Sequence, residues 1–197
     1  MTIRTLLFSR LLVAVVSTSA ALASAVAAGQ GQKERFTGFA INMNGGPSTA
    51  VVDFTIDRWS TDAERDALLA ILKEEKDPYR ANDKLLRALQ KMPVAGRLQT
   101  PQRLGWDLRY AYQTPLEGGG RRIVLGTDRP VGFRESVTRT RTMDYPFTII
   151  EVRLDKDDRG EGKILAGTRL LIDKNNQLVL ENYGQQPIRF NEIHKQK

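Results

Sequence analysis

Groups able to move a proton, hold a metal ion or attack an electrophile are few in this chain of 197 residues. His194 is its single histidine and cysteine is absent, so thiol chemistry, thiolate metal sites and disulfides are excluded. The imidazole stands in the polar tail from Asn191 to Lys197. A frayed, solvated ring is expected there rather than a general base, a triad member or a metal ligand. Carboxylates remain. Glycosidic hydrolysis needs two of them facing each other across a sugar at roughly 5 to 9.5 Å. Asp53 and Asp57 share one side of an apolar run, but four residues of strand separate them by about 13 Å. Glu135 and Glu151 fall in other strand-like runs, with no spacing that pairs them. No catalytic residue is assigned, and a carboxylate hydrolase ranks behind the non-catalytic readings below.

Two loops carry partial motifs. A calcium loop needs oxygen ligands at positions 1, 3, 5 and 12 with glycine at 6. In the run from Asp155 to Gly160, Asp155, Asp157 and Gly160 match, but Arg159 stands at the fifth position and Ala166 at the twelfth. A charged turn with Gly160 at positive φ is expected instead, and no metal site. Gly118-Gly119-Gly120, followed by Arg121 and Arg122, has the composition of a phosphate cradle. Such cradles open a helix, whereas a β-branched run follows here, so a hairpin tip is expected and no cofactor is implied.

The residues best suited to holding a ligand lie elsewhere. In the run Gly105 to Gln113, strict alternation puts Trp106, Leu108, Tyr110 and Tyr112 on one face and Asp107, Arg109, Ala111 and Gln113 on the other. Core filling is the plain reading of that stripe. A tryptophan and two tyrosines also carry polar atoms that need partners when buried, as in an apolar pocket with a few wet points. Arg139 and Arg141, with Arg129 and Arg134 nearby and Thr138, Thr140 and Thr142 between and beside them, form the densest basic stretch. On one strand face they would grip a carboxylate or phosphate; as surface arginines they would balance Asp128, Glu135 and Asp144. The candidate ligand-binding residues are therefore Trp106, Tyr110, Tyr112, Arg139 and Arg141.

Elements must position these side chains, and the first of them is an address. Met1 to Ala28 carries Arg4 and Arg10, no acidic residue, an apolar run from Leu11 to Val16 and an alanine-rich tract from Ala20. That is the pattern of a cleaved export signal, with small-x-small sites closing at Ala23, Ala25, Ala27 and Ala28. The uncharged stretch Leu11 to Ala28 reaches the lower limit for a bilayer span, but Ser17, Thr18, Ser19 and Ser24 dilute it, so no stable span is expected after cleavage. Residues 29–34 read as a flexible lead-in and 35–197 as a single β-rich domain, long enough for a real core. The formal charge of +7 becomes +5 once Arg4 and Arg10 are removed. The charges are interspersed, with no nucleic-acid signature, and no nucleic-acid partner is expected. A cysteine-free, exported domain fits a bacterial periplasm.

Two apolar runs, Arg35 to Met43 and Thr49 to Trp59, flank Asn44-Gly45-Gly46-Pro47 and predict a β-hairpin. Thr61-Asp62-Ala63-Glu64 then has the form of a capping box. One helix is expected to bury Ala63, Ala67, Leu68, Ile71 and Leu72 and stop at Asp77-Pro78. A second, from about Asn82 to Met92, presents Leu85, Leu86, Leu89 and Met92, completing a helical hairpin over 61–92. Beyond Pro93 the runs Val94 to Gln99, Gly105 to Gln113, Arg122 to Thr127, Val131 to Val137, Tyr145 to Asp155, Glu161 to Asp173, Gln177 to Tyr183 and Pro187 to His194 all read as strands. Their short spacers demand antiparallel neighbours. The fold class is α+β, predominantly antiparallel β: a meander of about 7–10 strands forming a barrel, half-barrel or sandwich, with one helical hairpin inserted after the second strand.

In architecture alone this resembles the lipocalins, and that resemblance implies a barrel able to hold one small molecule. The leading expectation is an exported, non-catalytic periplasmic protein binding a small apolar or amphipathic molecule against the Trp106 face. The alternative is an envelope protein-protein interaction module, docking another envelope protein through a sheet edge or the helical hairpin.

Overall fold

A computed structural model describes residues 33–42, 48–101, 103–131, 146–166, 168–172, 178–182 and 188–197. Residues 1–28, read above as an export signal, most of the expected lead-in, the segment Asn44-Gly45-Gly46-Pro47 and nearly all of the run Val131 to Val137 lie outside the described residues, as do Arg134, Glu135, Arg139 and Arg141.

The chain forms strands β1 (Glu34–Asn42) and β2 (Ser48–Ile56), helices α1 (Asp62–Glu74) and α2 (Pro78–Lys91), then strands β3 (Gly96–Thr100), β4 (Arg103–Pro115), β5 (Arg121–Thr127), β6 (Thr148–Leu154), β7 (Arg159–Ala166), β8 (Thr168–Ile172), β9 (Leu178–Asn182) and β10 (Ile188–Lys195). Eight strands close into an antiparallel barrel in the order β1-β10-β7-β6-β5-β4-β3-β2, and β8 and β9 form a separate two-stranded hairpin. Of the three arrangements the spacing allowed, the barrel is the one adopted, with both helices between the second and third strands. Among the described residues no helix is long and apolar enough to cross a membrane.

Period-two burial fills the interior. Phe36, Phe54, Leu98, Leu108, Ile123, Leu125, Ile150, Ile164 and Phe190 are all fully buried in one cluster, and the Phe36 and Phe54 rings stack at 4.8 Å. Eight strands leave room for about that much side chain and little more. Arg121 closes one end. Its guanidinium donates to Glu34 at 2.7 Å, Asp158 at 2.7 Å and Gln113 at 2.9 Å, and it lies over the Phe36 and Trp59 rings. Lys195 joins the same two carboxylates.

The helical insertion leaves and rejoins the sheet at one point: Asp57 N–H and Arg58 N–H both donate to the Ala95 carbonyl. Thr61 caps α1 as the sequence predicts, accepting from Glu64 N–H at 3.2 Å while the Glu64 carboxylate accepts from Thr61 N–H at 2.8 Å. Arg58 grips that carboxylate with both terminal nitrogens and donates to the Pro93 carbonyl, tying the start of the insertion to its end. Helix α2 begins four residues earlier than the periodicity suggests. Pro78 occupies its first turn and Asp77 is its N-cap, so the pair that stops α1 also starts α2. On α1 the inward face is Leu68, Leu69, Ile71 and Leu72, and the expected Ala63 and Ala67 are exposed. The four longer apolar side chains define that face, and alanine has too little surface to compete.

Three further expectations are corrected. The run Glu161 to Asp173 is two strands, because β7 ends at Ala166 opposite Thr148, the first residue of β6, and the chain beyond it pairs with β9 instead. His194 is part of β10, paired with Thr37 and Arg159 through barrel closure, although its ring is exposed. In the Asp155 turn the positive φ belongs to Asp158, at 56°, with the Asp155 carboxylate accepting from Asp157 and Arg159 N–H groups. Gly160 is required for a different reason: a Cβ there would stand 1.8 Å from the Arg153 carbonyl oxygen.

Replacing Arg121 by methionine would strand Glu34 and Asp158 at the barrel end with only Lys195 between them. Urea unfolding of Arg121→Met is expected to show a loss on the order of 3 kcal/mol, the range for removing one partner of a largely buried ion pair.

Candidate functional site

The aromatic stripe of β4 does not stay on one side of the wall. Leu108 pairs with Thr127 but Tyr110 pairs with Gly126, so Arg109 is an extra residue and the side-chain alternation changes phase across it. Trp106 and Leu108 point into the barrel core, where Trp106 is 8% exposed. Tyr110 and Tyr112 point outward, beneath the helices. Their rings lie 6.2 Å apart and nearly parallel. The single face expected for Trp106, Tyr110 and Tyr112 is thus overturned by one bulged residue, which period-two counting cannot register.

Arg109 itself anchors the helices. It donates through Nε to Asp128 at 2.9 Å and through Nη1 to the carbonyl of Met92, the C-cap of α2, at 3.3 Å. Beyond the bulge Ala111 exchanges hydrogen bonds with Ser60 in the segment before α1, its N–H reaching the Ser60 hydroxyl and its carbonyl accepting from Ser60 N–H. Both ends of the insertion are therefore bonded to β4, and the helices lie over the outer face of β4, β5 and β6. Position 126 is glycine: a Cβ there would be in ordinary contact with Leu89 of α2 at 3.5 Å but tight against the Tyr110 Cβ at 3.3 Å. Leu85 and Leu89 are buried in this layer with Val124, Phe147 and Ile149. Each such side chain contributes about 1.5–3 kcal/mol by leaving water.

The two layers do not meet everywhere. A cavity of about 90 Å³ lies between them. Helix α1 lines it with Arg65, Leu68, Leu69 and Leu72, and α2 with Leu85 and Leu89. The barrel wall contributes Tyr110, Tyr112, Thr114, Arg122, Val124 and Ile149, with Phe147 beside them and Leu170 from β8 completing the enclosure.

The polar groups of this lining differ in how far they are committed. Tyr112 donates to Asp62 at 2.6 Å and accepts from Arg65 at 2.7 Å, fastening β4 to the first turn of α1. Arg65 lies over the same ring and also donates to Asp66. Arg122 is held by Glu151 at 3.1 Å. Burial opposes ionisation of Glu151, but the hydrogen bonds from Arg122 and Arg153 outweigh it and hold the carboxyl below its ordinary value. Tyr110 is 7% exposed, and its hydroxyl has no hydrogen-bond partner among the described residues. Burial first, then the neighbouring Tyr112, push its phenol well above the ordinary value, so it is a neutral O–H donor at any pH the protein would meet.

Of the residues singled out in the sequence, the structure brings Tyr110 and Tyr112 together in this cleft, places Trp106 on the other side of the wall, and leaves Arg139 and Arg141 outside the described residues. The leucines of the helices were read in the sequence as core faces, and Val124 only as part of a strand. The signal for a second packed layer was present in Arg121-Arg122-Ile123-Val124-Leu125-Gly126-Thr127, a strand whose last five residues are all buried, inward and outward alike. Comparison with known proteins finds no matching family model, no matching curated protein and no matching solved structure.

Trp106→Ala is expected to cost about 3–5 kcal/mol in urea unfolding, as for a large ring removed from a packed core, while leaving the cleft intact. Acid should also weaken the fold. Glu64, lowered chiefly by its Arg58 hydrogen bonds, and Glu151 both have depressed folded-state values. Their stabilisation is complete above the ordinary carboxylate value of 4.5 and is lost as pH falls through the folded values. Urea midpoints measured from neutral pH downward should fall below that point, and Glu151→Gln should flatten the decline.

Proposed function

We propose that the chain is an exported, non-catalytic binding protein that holds a small apolar or amphipathic molecule in the cleft between its helical hairpin and the outer wall of the barrel. The observation that carries this reading is Tyr110: a phenol only 7% exposed, with no hydrogen-bond partner for its hydroxyl among the described residues, on the wall of an otherwise mostly aliphatic cavity. Its hydroxyl opens onto the cavity, where a ligand oxygen would accept a hydrogen bond from it. Among the described residues, rings and aliphatic side chains pack the barrel interior. Arg4, Arg10, the apolar run and the alanine tract of residues 1–28 support export to a periplasm.

Methyl NMR on the full-length protein and on protein recovered after export tests the site. Titration with a panel of straight-chain alcohols, amides and carboxylates is expected to shift the methyls of Leu85, Leu89, Val124 and Ile149 and leave those of Val52, Ile150 and Ile164 unmoved. Leu72→Trp, which fills the cleft from the half-buried face of α1, should abolish those shifts. A silent panel, or shifts confined to the barrel interior, would sink the proposal.

A further inference from the structure

The cleft wall contains two cations, and both are committed. Arg65 donates to Tyr112 and, through Nε and Nη2, to Asp66, while Arg122 is held by Glu151, itself also bound by Arg153. Asp62, Asp66 and Glu151 thus face Arg65 and Arg122, and among the described residues the cavity lining has no surplus positive charge to offer. An ionised carboxylate or phosphate entering here would have to break an existing pair, and would lose its own water without gaining an unclaimed cation. A cationic ligand would have to approach two guanidinium groups. The hydroxyl groups differ. Tyr110 lines the cavity with its O–H unpaired among the described residues, and Thr114 adds a second neutral group on the same strand face. The cleft is partly open, and its space of about 90 Å³ is several times the roughly 10–15 Å³ that admits one water, enough to seat a short apolar segment.

Resting on the cleft as the binding site, we infer that its ligand is electrically neutral, with a short aliphatic segment seated against Leu85, Leu89 and Val124 and one oxygen accepting a hydrogen bond from Tyr110. The ligand class is an alcohol, ester or amide, not a fatty-acid anion, a phosphate ester or an amine.

The test uses three probes of equal chain length, hexan-1-ol, hexanoate and hexylammonium, titrated at neutral pH into the full-length protein and into Tyr110→Phe, with methyl shifts as the readout. Hexan-1-ol is expected to bind about tenfold or more tightly than either ion, the size of effect that one unfavourable charge burial produces. Tyr110→Phe should weaken hexan-1-ol by about 3- to 10-fold, the worth of one neutral hydrogen bond, with little effect on either ion. Hexanoate or hexylammonium binding as tightly as the alcohol, or an unchanged alcohol affinity in Tyr110→Phe, would overturn the neutral-ligand inference and leave the cleft standing as the site. Failure of all three probes to move the cleft methyls would overturn both.

Discussion

One unpaired residue in β4 decides which side of the barrel wall each neighbouring side chain faces. Arg109 has no counterpart on β5, and the pleat resumes after it in the opposite phase. Upstream, Trp106 and Leu108 complete the interior; downstream, Ala111 takes the inward position while Tyr110 and Tyr112 turn out. The same residue reaches Asp128 and the Met92 carbonyl at the C-cap of α2. The irregularity that splits the aromatic stripe therefore also locates the layer that covers its outer half. Bulges commonly re-aim side chains in this way at barrel walls and beside binding sites.

A wall buried on both faces follows from that arrangement. In β5, Ile123 and Leu125 fill the barrel while Val124 meets the helices. Small closed barrels with one wet outer face need only alternation, but this wall has to be apolar on both sides along β4, β5 and part of β6. The helices that cover it are bound at their ends rather than throughout: by Arg58 between Glu64 and Pro93, by Ser60 against Ala111, and by Tyr112 to Asp62. Firm attachment at the margins leaves space between the middle of the hairpin and the wall, and Tyr110 faces that space.

Charge is distributed to match. Arg121 gathers Glu34, Asp158 and Lys195 at one end of the barrel, and Arg122, the next residue, points outward to Glu151. Successive arginines on one strand thus serve opposite faces, the first closing the core and the second bordering the cleft. Since each is balanced by carboxylates, the described surface near the cleft presents hydroxyl groups and hydrocarbon rather than net charge.

Local signals in the chain were enough for the elements. The capping box at Thr61 and Glu64, the Asp77-Pro78 boundary, the antiparallel order implied by short spacers and the insertion of a helical pair after the second strand are all written in neighbouring residues, because caps, turns and hairpins depend on atoms a few positions apart. Tyr110 and Tyr112 were legible as candidates for the same reason, through residue type. What only the tertiary structure decided is the phase of β4 past Arg109, the departure of β8 from β7, and the opening of a cleft between the helices and the outer wall. Each depends on which residue a partner strand or helix sets opposite: Gly126 against Tyr110, Thr148 against Ala166, Leu89 against Gly126. Periodicity within one segment has no access to such pairings, since a single extra residue leaves the hydrophobic composition unchanged and reverses the face of every side chain after it.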